Sequence, residues 1–165
     1  MGLEVNILDT FNKFAELTAQ EMTRATKKAV NRAAAELKST TLSELQSTGI
    51  SNAPNPKYTD TLYKGIRMRK AGKVMYDEDV YSVVHVLGSR DSGSGTFRLR
   101  FFENGTQDRY QQSIHGTPLK KPRYVGKIKP EKFFARANSS IEGQLSTIYM
   151  EEIDKAIEKI NNNNS

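Results

Sequence analysis

The chain reads as an α+β protein: a long N-terminal helix, an antiparallel sheet of three or four strands bearing a long polar arm, and a C-terminal helix packed on that sheet. Three observations predict it. From Ile7 to Leu45 apolar residues recur every three or four positions, and neither Gly nor Pro intervenes before Gly49. Between Ile66 and Phe102 the period drops to two and β-branched residues accumulate. From Ile141 to Ile160 the helical spacing returns.

The first stripe runs through Phe11, Phe14, Thr18, Met22, Ala25, Ala29, Ala33 and Leu37, with Lys13, Glu16, Lys27, Arg32 and Glu36 mostly elsewhere on the circle. At 1.5 Å per residue such a helix would be roughly 50 Å long, so its far end is expected to project or to pack on a neighbour. A break near Ser39-Thr40-Thr41 is the alternative. The alanines in the middle either admit another backbone closely or simply favour helix.

Residues 49–58, with two prolines and two asparagines, form a loop, and Thr59 or Asp60 is placed to cap one helical turn ended by Gly65. The alternating Ile66-Arg67-Met68-Arg69-Lys70, the stretch Val74 to Tyr76, the run Val80 to Leu87 and the segment Phe97 to Phe102 then read as successive strands. Ala71-Gly72-Lys73 and Asp77-Glu78-Asp79 read as turns, and the Ser/Gly/Asp cluster of residues 88–95 as a flexible connection.

Residues 104–130 are polar and without sustained period, which predicts an extended loop or hairpin arm. Ser139-Ser140-Ile141-Glu142 fits a capping box opening the last helix, whose stripe is Ile141, Leu145, Ile148, Ile153, Ala156, Ile157 and Ile160. Residues 161–165 are low-complexity and expected to fray, so residues 1–160 form the expected single domain.

Composition narrows the chemistry. The chain has no Cys, which excludes disulfides, thiolate nucleophiles and cysteine-based zinc sites. Its 25 Lys plus Arg against 19 Asp plus Glu leave +6, with an isoelectric point near 9.5, a balance that permits contact with nucleic acid or another acidic surface. The start carries Glu4 and Asp9 within its apolar stretch and so lacks the form of a secretory signal; no run approaches the ~18 apolar residues of a membrane span.

Only two histidines occur, His85 in an apolar strand and His115 in the arm, and no carboxylate or nucleophile is set beside either by a motif. Neither a metal cluster nor a phosphate-binding loop is spelled out, so no cofactor, metal or small-molecule substrate is expected. The carboxylate that stands out is Glu103, at a strand end beside two aromatics and before a turn, where it is placed to accept turn amides or to pair with an Arg. A single carboxylate makes no reaction, so Phe102, Glu103, Gly105 and Thr106 are read as a structural corner. Arg109, Tyr110, Lys120, Lys121, Arg123, Tyr124, Lys127 and Lys129 are the arm's candidate contact residues for a subunit or partner, and Leu62, Ile66, Phe133 and Phe134 are candidates for the core.

Three local patterns carry a resemblance. Thr61-Leu62-Tyr63-Lys64-Gly65-Ile66 follows the long helix, Phe102-Glu103-Asn104-Gly105-Thr106 ends the strand region, and Gly126-Lys127-Ile128-Lys129-Pro130-Glu131-Lys132-Phe133-Phe134-Ala135-Arg136-Ala137 precedes the last helix. In this order they resemble the tail-completion or head-tail joining proteins of long-tailed double-stranded-DNA bacteriophages and prophages. That pattern runs Thr-Gly-x-Leu-x-x-Ser-Ile, aromatic-x-Glu-x-Gly-Thr, then a Pro-Phe-Leu-x-Pro-Ala-like segment. Here Asp60 replaces the Gly, Gly65 the Ser, and Arg136 stands where the second Pro often lies.

The resemblance implies a structural virion protein without enzymatic activity. It implies a homo-oligomeric ring, often hexameric, at the head-tail junction, contacting neck and tail-tube proteins, in the virion and, during assembly, in the host cytoplasm. DNA passing through such a ring is a candidate non-specific contact. The alternative function is a basic nucleic-acid-binding module using the arm lysines and the basic residues of the first helix on phosphates.

Overall fold

The computed structural model describes residues 7–71, 80–86, 88, 89 and 91–162. The N-terminal stripe forms one uninterrupted helix, α1, Ile7–Ser47, whose 41 residues span ~60 Å at 1.5 Å per residue. It does not break at Ser39-Thr40-Thr41: Thr41 is fully buried, and its hydroxyl donates back to the Leu37 carbonyl at 2.6 Å, so the β-branched residue is satisfied within the helix. Next come a 3-10 turn at Leu62–Gly65, strand β1 at Arg67–Arg69, strand β2 at Val83–His85, and 3-10 turns at Ser92–Ser94 and Thr96–Arg98. The order closes with α2 at Leu99–Asn104, β3 at Arg109–Ile114, β4 at Thr117–Gly126 and α3 at Phe133–Asn162.

The class is α+β, with the strands divided between two two-stranded sheets, β1-β2 and β3-β4, rather than joined in one. The expected strand Phe97 to Phe102 is a helix. Arg-Leu-Arg-Phe alternates, yet Leu99, Phe102 and Glu103 turn inward at i, i+3 and i+4, and burial follows that spacing. Val74 to Tyr76, Gly72-Lys73 and Asp77-Glu78-Asp79 lie outside the described residues, as do 163–165; residues 161 and 162 belong to α3.

The described residues fall into two compact units. The first draws on Met1–Glu36, Arg69–Val83 and Glu142–Ser165. Here α3 packs on α1 rather than on a sheet. Ala25 meets Ile153 and Ala156, with Met22 alongside, so the small α1 side chains give close helix approach. Lys159 pairs with Glu21 at 3.0 Å, Lys28 with Glu152 at 2.9 Å, and Arg32 with both Glu151 and Glu152, an order that sets the two helices antiparallel. Asn31 of α1 accepts from the Ala71 amide at 2.8 Å and from the Ser82 hydroxyl at 2.7 Å, tying both ends of the intervening segment to the helix.

The second unit comprises Leu37–Met68 and Val84–Ile141. Its core joins Leu45, Leu62, Ile66, Val86, Leu99 and Phe133, with Phe102 and Phe134 packed at the margin. The expected Thr59 or Asp60 cap is displaced to Thr61, which makes no side-chain cap bond; the Thr59 and Asp60 amides bond instead to the Gly93 and Ser94 carbonyls. Nor is the Ser/Gly cluster a loose connector. Asp91 accepts from the Gly93 amide at 2.8 Å, and buried Ser94 and Thr96 share a hydroxyl bond at 2.9 Å. Gly95, at φ 74°, passes so close to Tyr58 that a Cβ would lie 2.3 Å from the ring.

Glu152 is the most heavily paired carboxylate of the first unit. Hydrogen bonds from Lys28 and Lys155 outweigh its burial and pull its pKa from the ordinary 4.5 to about 2. A lowered folded-state pKa contributes stability that is complete above the unfolded value and disappears as pH falls toward the folded one. Glu152→Gln is therefore expected to cost about 1–2 kcal/mol at pH 7, given the exposure of its cationic partners. In urea unfolding, the gap between wild type and variant should close between pH 4.5 and about 2. A pH-independent gap would remove the ion network as its cause.

Candidate functional site: the hairpin arm and its root

The arm is a hairpin. β3 and β4 run antiparallel, with Tyr110 opposite Tyr124, Gln111 opposite Arg123 and Ile114 opposite Thr117. His115 and Gly116 make the tip, at φ 48° and 83°, the paired positive angles of a tight hairpin turn. His115 thus has a conformational role at the turn. The pairing jumps between Gln111 and Ser113, so β4 accommodates an irregular stretch around Leu119-Lys120-Lys121-Pro122.

Most of the arm faces water. The Tyr110 and Tyr124 rings lie 5.5 Å apart, tilted, with 57% and 52% of each residue exposed. The Tyr124 hydroxyl donates to Asp108 at 3.3 Å; desolvation first, then the nearby carboxylate, raises its pKa above the ordinary 10. Arg109, Lys120, Lys121, Arg123, Lys127 and Lys129 are exposed and, among the described residues, have no carboxylate partner. Arg109 donates instead to the Gly126 carbonyl.

The root is rigidly built. Glu103 is 7% exposed at the end of α2, and its two carboxylate oxygens accept from the amides of Phe134 at 2.9 Å and Ala135 at 3.3 Å. A helix has no internal acceptors for its first amides, so a side chain 31 residues upstream in sequence supplies the cap of α3. Backbone bonds reinforce it: the Glu131 amide reaches the Phe102 carbonyl at 2.7 Å and the Lys132 amide the Glu103 carbonyl at 3.3 Å. Thr106 then pairs twice with Ile128, amide to carbonyl and hydroxyl from amide, both at 2.9 Å. Gly105 turns between these anchors at φ 73°, where a Cβ would come within 2.9 Å of Pro130 and 3.0 Å of the Ile128 carbonyl.

Glu103 therefore accepts helix amides, where sequence suggested turn amides or an Arg. This remote cap also accounts for the start of α3: the helix opens at Phe133, and Ser139 and Glu142 lie inside it instead of forming its first turn. Leu62, Ile66 and Phe133 are buried at 2%, 3% and 0%, with Phe134 at the core margin. His85 is exposed at the end of β2. Among the described residues no group of three His, Cys, Asp or Glu is arranged to hold a metal ion, and no helix is long and apolar enough to cross a membrane.

One feature escaped the sequence reading. Leu145 and Ile157 belong to the expected buried stripe of α3, yet they are 40% and 45% exposed, with Tyr149 and Met150 exposed beside them. Adjacent large residues at 149 and 150 give an apolar surface wider than one partner helix covers, which is the signal that sequence offered.

No family model, curated protein or solved structure matches this chain.

Removing the remote cap tests the root directly. Glu103→Ala is expected to cost about 1–3 kcal/mol, and Glu103→Gln less, because an amide keeps one acceptor oxygen. Amide exchange at Phe134 and Ala135 should quicken in both variants. Unchanged exchange at those two amides would show that α3 starts without Glu103.

Proposed function

We propose that the chain is a structural virion protein of a tailed bacteriophage or prophage, forming a ring at the head-tail junction that completes the tail and joins it to the head. The observation that carries this reading is the arm: a stiffly rooted hairpin whose tyrosines and cations face water. The order of the three motifs supports the same reading, and two of them, Phe102-Glu103-Asn104-Gly105-Thr106 and the segment from Gly126 to Ala137, meet at the arm's root. The mechanism is geometric rather than catalytic. Copies associate side by side, and each arm reaches a neighbouring copy or an adjoining neck or tail-tube protein.

The arm's cations, without a carboxylate partner among the described residues, favour a second reading, a basic nucleic-acid-binding module. Phosphate binding would weaken steeply with salt, whereas a tyrosine-centred protein contact would persist.

Mass measurement and negative-stain imaging of the purified chain across a concentration series test the ring. Closed oligomers are expected, and deletion of residues 107–127 should abolish both them and the joining of tails to heads in a working phage. Tails joined normally by the deleted protein would overturn the proposal. Duplex binding at low salt without any self-association would favour the nucleic-acid reading instead.

A further inference from the structure

A hollow of about 680 Å³ opens in the second unit, walled by α1 near Lys38 and Leu42, the 49–58 loop, the 3-10 turn at Leu62–Gly65 and β1. Its volume lies in the range that small organic ligands occupy. Lys38, Lys64 and Arg67 line it together with Asn52 and Thr61, and among the described residues no carboxylate does. The hydrogen bonds already made leave these groups donating into the hollow. Asn52 accepts the Tyr63 amide on Oδ1 at 2.8 Å, which leaves its NH2 group as a donor. Arg67 commits Nε to the Lys64 carbonyl at 3.2 Å and keeps both Nη groups. Thr61 holds the cap position of the 3-10 turn without a side-chain bond to it.

Charge selects the head of the ligand. Lys64 is matched by Asp60 at 3.5 Å, whereas half-buried Lys38 and exposed Arg67 have no carboxylate partner among the described residues. Two positive charges on one concave wall suit a dianion. A phosphate monoester carries about two negative charges at pH 7, where a carboxylate or a phosphodiester carries about one. The rest of the wall selects the body. Leu42 and Ile66 are apolar, and the Tyr63 ring beside them is held in place because its hydroxyl donates to the Ile50 carbonyl at 2.8 Å. A fixed aromatic ring flanked by aliphatic side chains receives a second ring in the offset or edge-on arrangement that aromatic pairs prefer.

We propose that this hollow binds an aromatic phosphate monoester, with Lys38 and Arg67 on the phosphate, Asn52 and Thr61 donating to its oxygens, and Tyr63, Leu42 and Ile66 against the ring. The site goes beyond the ring reading and does not rest on it, since one unit of one copy supplies every residue. It is a binding site rather than a catalytic one. Among the described residues neither a carboxylate nor a histidine lines the hollow to take part in cleaving the ester.

Phenyl phosphate is the probe. Titrated calorimetrically into the whole chain, it should bind with a Kd at or below about 1 mM. That is expected to be about tenfold tighter than inorganic phosphate, which lacks the ring, and than phenyl sulfate, which carries a single charge. Lys38→Gln and Arg67→Gln should each weaken binding about tenfold, while Lys57→Gln, at an exposed cation of the same unit outside the hollow, should leave it unchanged. Circular dichroism of each variant should match wild type. In the wild-type chain, amide chemical-shift changes on titration should centre on Asn52, Thr61 and Arg67, a readout that needs no variant. The inference is overturned by the absence of heat and shift changes up to about 10 mM probe. It is equally overturned by inorganic phosphate or phenyl sulfate binding as tightly, or by an equal loss in Lys57→Gln. Binding that appears only once Asp77→Asn/Glu78→Gln/Asp79→Asn removes the chain's own acids would overturn it as well.

Discussion

The second unit depends on one carboxylate that serves as a helix cap at long range. Glu103 is buried at the end of α2, and among the described residues the donors its carboxylate meets are the first amides of α3. Each side would be costly without the other, because a buried carboxylate needs donors and unpaired helix amides need an acceptor. The chain between them, 104–132, must return to its starting point, and the double Thr106–Ile128 pairing closes that loop. The hairpin therefore springs from a clamped base. A rooted arm loses less conformational freedom on docking than a floppy loop of the same length.

Ion pairing and small side chains play the corresponding part in the first unit. Alanine at positions 25 and 156 brings α1 and α3 close but buries little area, since an alanine offers only a methyl group. Orientation and register then rest on polar contacts: Glu21 with Lys159, and the Lys28, Arg32 and Lys155 cluster around Glu152. Such a pair of helices has much of its circumference left over. Tyr149, Met150 and Ile157 occupy part of it, and apolar residues in that position are a cost to a lone chain unless something else covers them.

What could be read in advance follows from the range of the interactions involved. The α1 helix was legible from its spacing because local periodicity decides it, and β1, β2 and the arm were visible as breaks and alternations. The α2 segment was not, because six residues of Arg-Leu-Arg-Phe-Phe-Glu satisfy a strand pattern and a helix pattern equally. Burial of Leu99 and Glu103 on one side, a tertiary matter, selects the helix. The start of α3 was misplaced for a related reason: Ser139 and Glu142 compose a plausible local cap, while the cap in use comes from Glu103, 31 residues before the amide it binds. Glu103 itself could be singled out by its place beside aromatics and a glycine, but its donors could not. Ser94 and Thr96 show the same limit, since a Ser/Gly-rich string reads as slack until its hydroxyls find each other inside the fold.

The distribution of charge adds a constraint that neither local pattern nor packing supplies. A basic chain is expected to place its acids wherever they neutralise a neighbour, and two of the five carboxylates on α3, Glu151 and Glu152, do so. Asp154 and Glu158 have no such partner among the described residues, and they flank exposed apolar residues. On the arm, Arg123 and Tyr124 are neighbours in β4 and point to opposite faces of the hairpin, the cation on one and the tyrosine pair on the other. Unpaired charge costs little on an open surface, but once covered it demands its opposite, so each patch discriminates against partners of its own sign more strongly than it attracts any particular one.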